Sequence, residues 1–330
     1  MREVLVATPL KPGVVRRTYA FGDGIAVREL SPILGDLSIA KPCINANEGD
    51  RLERTRYWLC ASNEAERVYG GVGDDLYDNA MYAMSALQII CPSGAKNVFL
   101  QFEHTERGYD NITSKLPKEL CSTLIGRITS AEDQGLERDF EAVYIGVKRA
   151  FTERIVRLQN PILLLEHGMQ IGNASLGALM FVMALDMLLM ADKTAHFVER
   201  LGGFLGPQSY VFPPDSVLHR QASVRVRDVL ADLFEFRNRI AHGREIPEKP
   251  YRQRYDLLDE DGGRTNDDDY GYSDLMCEGA LFLLAKALRK VFVEGLIGDI
   301  REEARWRPQL RLYEHRWKDA ATTPLPNTAP

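Results

Sequence analysis

The chain has 330 residues, 45% of them hydrophobic and 27% charged, with 41 Lys and Arg against 47 Asp and Glu for a formal net charge of −6. That length allows two domains, and the composition is that of a soluble globular protein. The negative balance excludes a global basic field for holding nucleic acid, so any such site must be local.

The N-terminal stretch "MREVLVATPLKPGVV" has no long apolar run, being interrupted by Glu3 and Pro9, and does not read as a signal peptide. The five cysteines, Cys43, Cys60, Cys91, Cys121 and Cys277, are scattered and never form a CxxC pair. They read as free thiols of a cytoplasmic protein, not as a disulfide framework or a zinc site.

The first third is mixed. "EVLVATPL", "GIAVREL", "TRYWLCAS" and "NVFLQFEH" are short β-branched and aromatic runs bounded by turn residues. In "FGDGIAV", Asp23-Gly24 is a turn pair leading into a strand. "DDLYDNAMYAMSALQIIC", Asp74 to Cys91, has helical spacing, acids at its start and Pro92 at its end. "YGGVGDDLYD" lacks the lysine of a P-loop and the GxGxxG spacing, and reads as a tight turn with acidic capping residues.

From about residue 126 the alternation disappears. Five segments show helical spacing: "FEAVYIGVKRAFTERIVRL", "NPILLLEHGMQIG", "SLGALMFVMALDMLLMADKTAHFVERLGGFLG", "SVRVRDVLADLFEFRNRIAHG" and "SDLMCEGALFLLAKALRKVFVEGLIGDIREEARW". The most apolar run, Ala178 to Ala191, is too short for a membrane span and contains Asp186. The link from Arg244 to Tyr272 is long, acidic and rich in Gly and Pro, which predicts an exposed loop. The expected architecture is α+β: a mixed α/β domain over 1–125, a helical bundle over 126–318, and a disordered tail over 319–330. No metal-ligand spacing, cofactor motif or GxSxG elbow occurs.

One helix is unusual. With Val224 to Ala241 wound at 100° per residue, Val226, Leu230, Leu233 and Ala241 fall within about 40° of Arg237. Asp228, Asp232, Glu235 and Arg239 fall on the opposite face. Arg237 therefore sits at the centre of the apolar stripe, where an unpaired charge is costly. Its partner is Asp186, a second copy of the chain, or an anionic ligand. Gly243 is a helix stop, so the helix ends near His242, about 140° around from Arg237. His242 shares a face with Asn238, and it also reads as a cation favoured by the helix dipole.

"RNRIAHG" resembles the R-N-x-x-x-H signature of HEPN domains, the nucleotide-binding helical domains of prokaryotes and higher eukaryotes. "ALMFVMALDMLLM" resembles the apolar first core helix of Apea-like members, and "EGALFLLAKALRKVF" the closing helix. The resemblance covers roughly residues 140 to 300. It departs from the family at Asp186, where a glutamate is expected, and in the long acidic loop after the motif.

The resemblance implies a metal-independent RNA endonuclease working as a homodimer, in a defence or toxin–antitoxin setting. His242 would be the acid/base, Arg237 the phosphate binder and Asn238 the orienter, with Asp186 and Arg239 in support. The runner-up reading is a non-catalytic nucleotide-sensing or protein-interaction module, since the fold also has inert members. Local basic residues (Arg220, Arg225, Arg227, Arg239, Arg244, Lys249, Arg252, Arg254) would supply the positive field.

Overall fold

The computed structural model describes residues 2–10, 13–29, 55–65, 74–92, 99–105, 108–115, 131, 133–214, 216, 219, 223–246, 255 and 272–322. The chain divides into two compact units, residues 1–121 with 128–148, and residues 122–127 with 149–330. The fold is mixed α+β, with an antiparallel sheet at the N-terminus and helices after it.

Among the described residues the sheet has six strands: β1 (Arg2–Pro9), β2 (Tyr19–Gly22), β3 (Ile25–Glu29), β4 (Tyr57–Ala65), β5 (Phe99–Thr105) and β6 (Gly108–Lys115). Their order is β2-β3-β4-β1-β5-β6, and every pairing is antiparallel. The β2–β3 connection is the expected Asp23-Gly24 turn. Both residues have positive φ, 49° and 74°, as a hairpin turn of the primed kind requires. A β-carbon at Gly24 would run into the Ser62 carbonyl oxygen on β4, so glycine is required there twice over.

Central strand β1 buries Val4 to Ala7 without alternation, which explains its unbroken apolar run. Helix α1 (Asp74–Ile90) packs on β4 and β1. Helix α2 (Leu136–Thr152) opens the part of the chain expected to be helical, but its residues through Lys148 group with the sheet. Phe140 is fully buried and stacks 4.0 Å from Phe21, and the Tyr144 hydroxyl donates to Asn79 Oδ1 at 3.2 Å. The expected boundary at 125/126 itself lies outside the described residues.

The second unit contains α3 (Val156–Gln170), α4 (Ala174–Leu189), α5 (Thr194–Leu205), α6 (Val226–Ala241), α7 (Tyr272–Val293), α8 (Ile297–Arg301) and α9 (Glu303–Thr322). The apolar helix α4 is the hub and packs against α3, α5, α6 and α7. Several breaks differ from the sequence reading. α2 and α3 part at Arg154, which has φ 53°, and Pro161 lies inside α3. The segment expected as one helix from Ser175 to Gly206 divides at Met190, φ 51°, into α4 and α5. α9 runs through Thr322, past the expected start of the tail at 319.

The end of α4 is closed by side chains. The Trp306 indole donates to the Leu188 carbonyl at 2.8 Å. Arg200 Nη1 donates to the carbonyls of Leu189 and Met190, and its Nε donates to Glu314 at 2.6 Å. These groups satisfy orphan carbonyls of the last turn and tie α4 to α5 and α9. Among the described residues no single helix is long and apolar enough to cross a membrane. α4 and α5 pass that test together by length and composition, with a 79° bend between them.

α5 lies so close to α9 that a β-carbon at Gly203 would overlap the Tyr313 backbone carbonyl. Gly203→Ala is therefore expected to cost about 3 kcal/mol of stability, because neither backbone can yield without losing its packing. Urea unfolding checks this, and an unchanged midpoint would refute so close a helix contact.

Candidate functional site

The site stands on α6. Its inner face buries Val226, Val229, Leu230, Leu233, Phe234 and Phe236. Phe234 meets Phe197 of α5 at 5.2 Å between ring centroids, and Phe236 meets Tyr272 of α7 edge-on at 5.5 Å. The helix ends as its sequence predicts. His242 is the C-cap residue, and Gly243 follows with φ 63°. The Gly243 N–H donates to the Ile240 carbonyl at 3.1 Å and the Arg244 N–H to the Arg239 carbonyl at 2.8 Å. Those two bonds are the Schellman closure.

Arg237 points to α4 and meets Asp186. Its Nη2 lies 3.1 Å from Asp186 Oδ2, with side-chain exposures of 30% for the arginine and 12% for the aspartate. Arg237 Nη1 donates to Asn238 Oδ1 at 2.8 Å, and its guanidinium carbon sits 5.3 Å from the Phe234 ring centroid. Of the three partners open to Arg237 from sequence, the one present within the chain is Asp186.

The pair is not fully closed. Arg237 Nε and Asp186 Oδ1 are buried and have no hydrogen-bond partner among the described residues. Burial pushes the Asp186 carboxyl up to about 6, against the opposing pull of Arg237. Desolvation of the carboxylate outweighs the ion pair because the contact is single and one oxygen is left unfilled.

His242 stands apart from this cluster. It is exposed, and its ring makes no hydrogen bond or ion pair among the described residues. Its link to the motif is through the backbone, where its N–H donates to the Asn238 carbonyl at 3.1 Å. Asn238 thus touches both ends of the motif, Arg237 through its side chain and His242 through its main chain. Arg239, expected in support, pairs instead with Glu235 at 2.9 Å and donates to the Glu245 carbonyl at 3.1 Å.

Two features were not anticipated. Asp232, assigned by periodicity to the outer face, is only 8% exposed. The Tyr255 hydroxyl covers it and donates to its Oδ2 at 2.5 Å. Tyr255 also stacks on Tyr272 at 6.3 Å, so one residue of the acidic link is fixed against α6 and α7. The rest of that link, residues 247–254 and 256–271, lies outside the described residues. The second feature is a polar cavity of about 920 Å³ in the sheet unit, lined in part by Asp23, Asp75, Asn79 and Lys148. Asp75 belongs to the stretch read from sequence as capping acids, and no motif spacing marks the cavity.

The local basic field is partly neutralised. Arg227 pairs with Asp228 and Arg239 with Glu235, while Arg225 donates to the neutral Gln208 and lies over Tyr210. Arg244 is exposed. Arg220, Lys249, Arg252 and Arg254 lie outside the described residues. Compared with known proteins, the chain matches no protein-family model, no curated protein and no solved structure.

Proposed function

We propose that the chain is a metal-independent RNA endonuclease of HEPN type. The observation that carries this reading is the arrangement on α6: a hydrogen-bonded Arg237–Asn238 couple one turn before an exposed histidine at a cleanly closed helix end. An imidazole serves as a general acid or base in proton transfer, and a guanidinium offers a fork to a phosphate. In this reading a ribose 2′-oxygen loses its proton and attacks the adjacent phosphorus. The 5′-oxygen leaves with a proton, giving a 2′,3′-cyclic phosphate and a 5′-hydroxyl. His242 handles a proton in this exchange, Arg237 meets the phosphate charge, and Asn238 orients Arg237.

The reading includes a homodimer in which two copies of the motif share a cleft, and it suits a defence or toxin role with a separate sensor or antitoxin partner. Next to Asp186 on α4, Met187 is exposed although apolar, as a face between copies would be. Met187→Glu separates the copies if that face joins them, and cleavage is then expected to fall with the loss of the dimer.

The test is RNA incubated with the protein in EDTA, beside His242→Ala and Arg237→Ala. Cleavage that survives EDTA and disappears in both variants supports the nuclease. Intact RNA across varied sequences with wild-type protein refutes it and favours the second reading, a non-catalytic nucleotide-sensing or interaction module. That second reading draws on the Arg237–Asp186 pair, which already gives the arginine a partner within its own chain.

A further inference from the structure

Arg237 is not an open anion site. Its guanidinium is shared between Asp186 at 3.1 Å and Asn238 at 2.8 Å, over the face of Phe234. Arginine and aspartate together are neutral. A phosphodiester reaching the exposed part of Arg237 would place a second negative charge beside the Asp186 carboxylate. In an enclosed site that repulsion is strong, because solvent screens it little.

The conflict can be relieved by moving Asp186 or by protonating it. Movement is obstructed, since the aspartate projects from the most apolar helix of the chain, which is packed by α3, α5, α6 and α7. Protonation is favoured by the surroundings, since one carboxylate oxygen is buried with no donor to it among the described residues. We infer that Arg237 accepts a phosphodiester together with a proton on Asp186, so that anion binding at this site is coupled to proton uptake. This rests on the reading of Arg237 as a phosphate binder and adds the control of its occupancy.

The surrounding charges leave Asp186 as the coupled group. Asp186 is the sole charged residue of α4. Among the described residues the charge that acts appreciably on its carboxyl is Arg237. The helices packed against α4 also carry Glu166 and His167 (α3), Arg200 (α5), Glu235 (α6), and Glu278 and Lys286 (α7). The remaining titratable group of the motif is His242, so the test is run with that residue removed as well as present.

The probe is a rhodamine-labelled 2′-O-methyl RNA oligonucleotide, which cannot be cut by 2′-oxygen attack and whose phosphodiester charge is constant over the range. Anisotropy at fixed ionic strength is read at pH 7.5 and 5.5, in wild type and in His242→Ala. In both, binding is expected to tighten by about tenfold at the lower pH through Asp186. Asp186→Asn is expected to bind tightly at both pH values and to lose this slope. Calorimetry of the wild type in buffers of different ionisation enthalpy is expected to show proton uptake on binding near pH 7, which needs no variant and so does not depend on how Asp186→Asn folds. Binding that is flat with pH in His242→Ala, or a slope that persists in Asp186→Asn, overturns the coupling. Proton-coupled binding without RNA cleavage overturns the nuclease reading and keeps the coupling. RNA cleavage with pH-flat binding does the reverse, and no binding at either pH overturns both.

Discussion

Alanine at His242 is expected to abolish RNA cleavage, by about a hundredfold or more in rate, while leaving the melting temperature unchanged. The size follows from what a positioned acid or base contributes, about 10²- to 10⁴-fold. The silence in stability follows from the helix end. What closes α6 is the backbone of Gly243 and Arg244, which donate to Ile240 and Arg239, and alanine at the C-cap keeps both bonds. The ring is exposed and makes no hydrogen bond or ion pair among the described residues, so its loss falls in the class of surface changes worth about 0.5 kcal/mol or less. Initial rates on RNA in EDTA, with thermal unfolding of the same samples, check both halves. A variant that cuts at the wild-type rate removes His242 from the chemistry, and the nuclease reading falls with it.

The inward turn of Arg237 was legible in the sequence because a helix repeats every 3.6 residues. Once α6 is a helix, Val226, Leu230, Leu233 and Arg237 must share a face, and they turn inward together. The stop at Gly243 was legible for a related reason, since glycine is the residue that takes positive φ without strain. Asp232 was misplaced because periodicity describes one helix at a time. What buries it is Tyr255, a residue 23 positions away in a link with no regular pattern.

The breaks at Arg154 and Met190 were hidden because each places a bulky residue in the left-handed region, without the usual glycine signal. Met190 is held there by tertiary bonds from Arg200 and Trp306 around the end of α4. Strand β6, "GYDNITSK", was missed because it is polar and lies at the edge of the sheet. Its pairing comes from β5, with little apolar signal of its own.

Alanine at Arg237 is the second large effect, and it is expected to reach activity and stability at once. Cleavage should vanish with the phosphate-binding fork. Stability at pH 7.5 should fall on the order of 2 kcal/mol, below the 3–5 kcal/mol of a fully buried broken pair because Arg237 is 30% exposed. The loss comes from Asp186, left as an enclosed carboxylate with no counter-charge. Burial raises its folded pKa to about 6, above the ordinary carboxylate value of about 4, so the folded chain holds this proton more tightly than the unfolded chain does. The burden of Asp186 on stability is therefore absent below about pH 4, grows as pH rises towards 6, and is complete above that. Removing Arg237 takes away the one pull that opposes burial and raises the carboxyl further, which widens the gap between variant and wild type at neutral pH. At pH 5 the carboxyl is largely protonated in both chains and the gap should narrow. Arg237→Lys keeps a positive charge near Asp186 and should recover much of the stability, but not the planar fork or the cleavage. Urea unfolding at pH 5 and 7.5 measures all three chains. If Arg237→Ala is equally destabilised at both values, Asp186 is not the group that carries the cost, and Arg237 holds the fold through its packing on Phe234 instead.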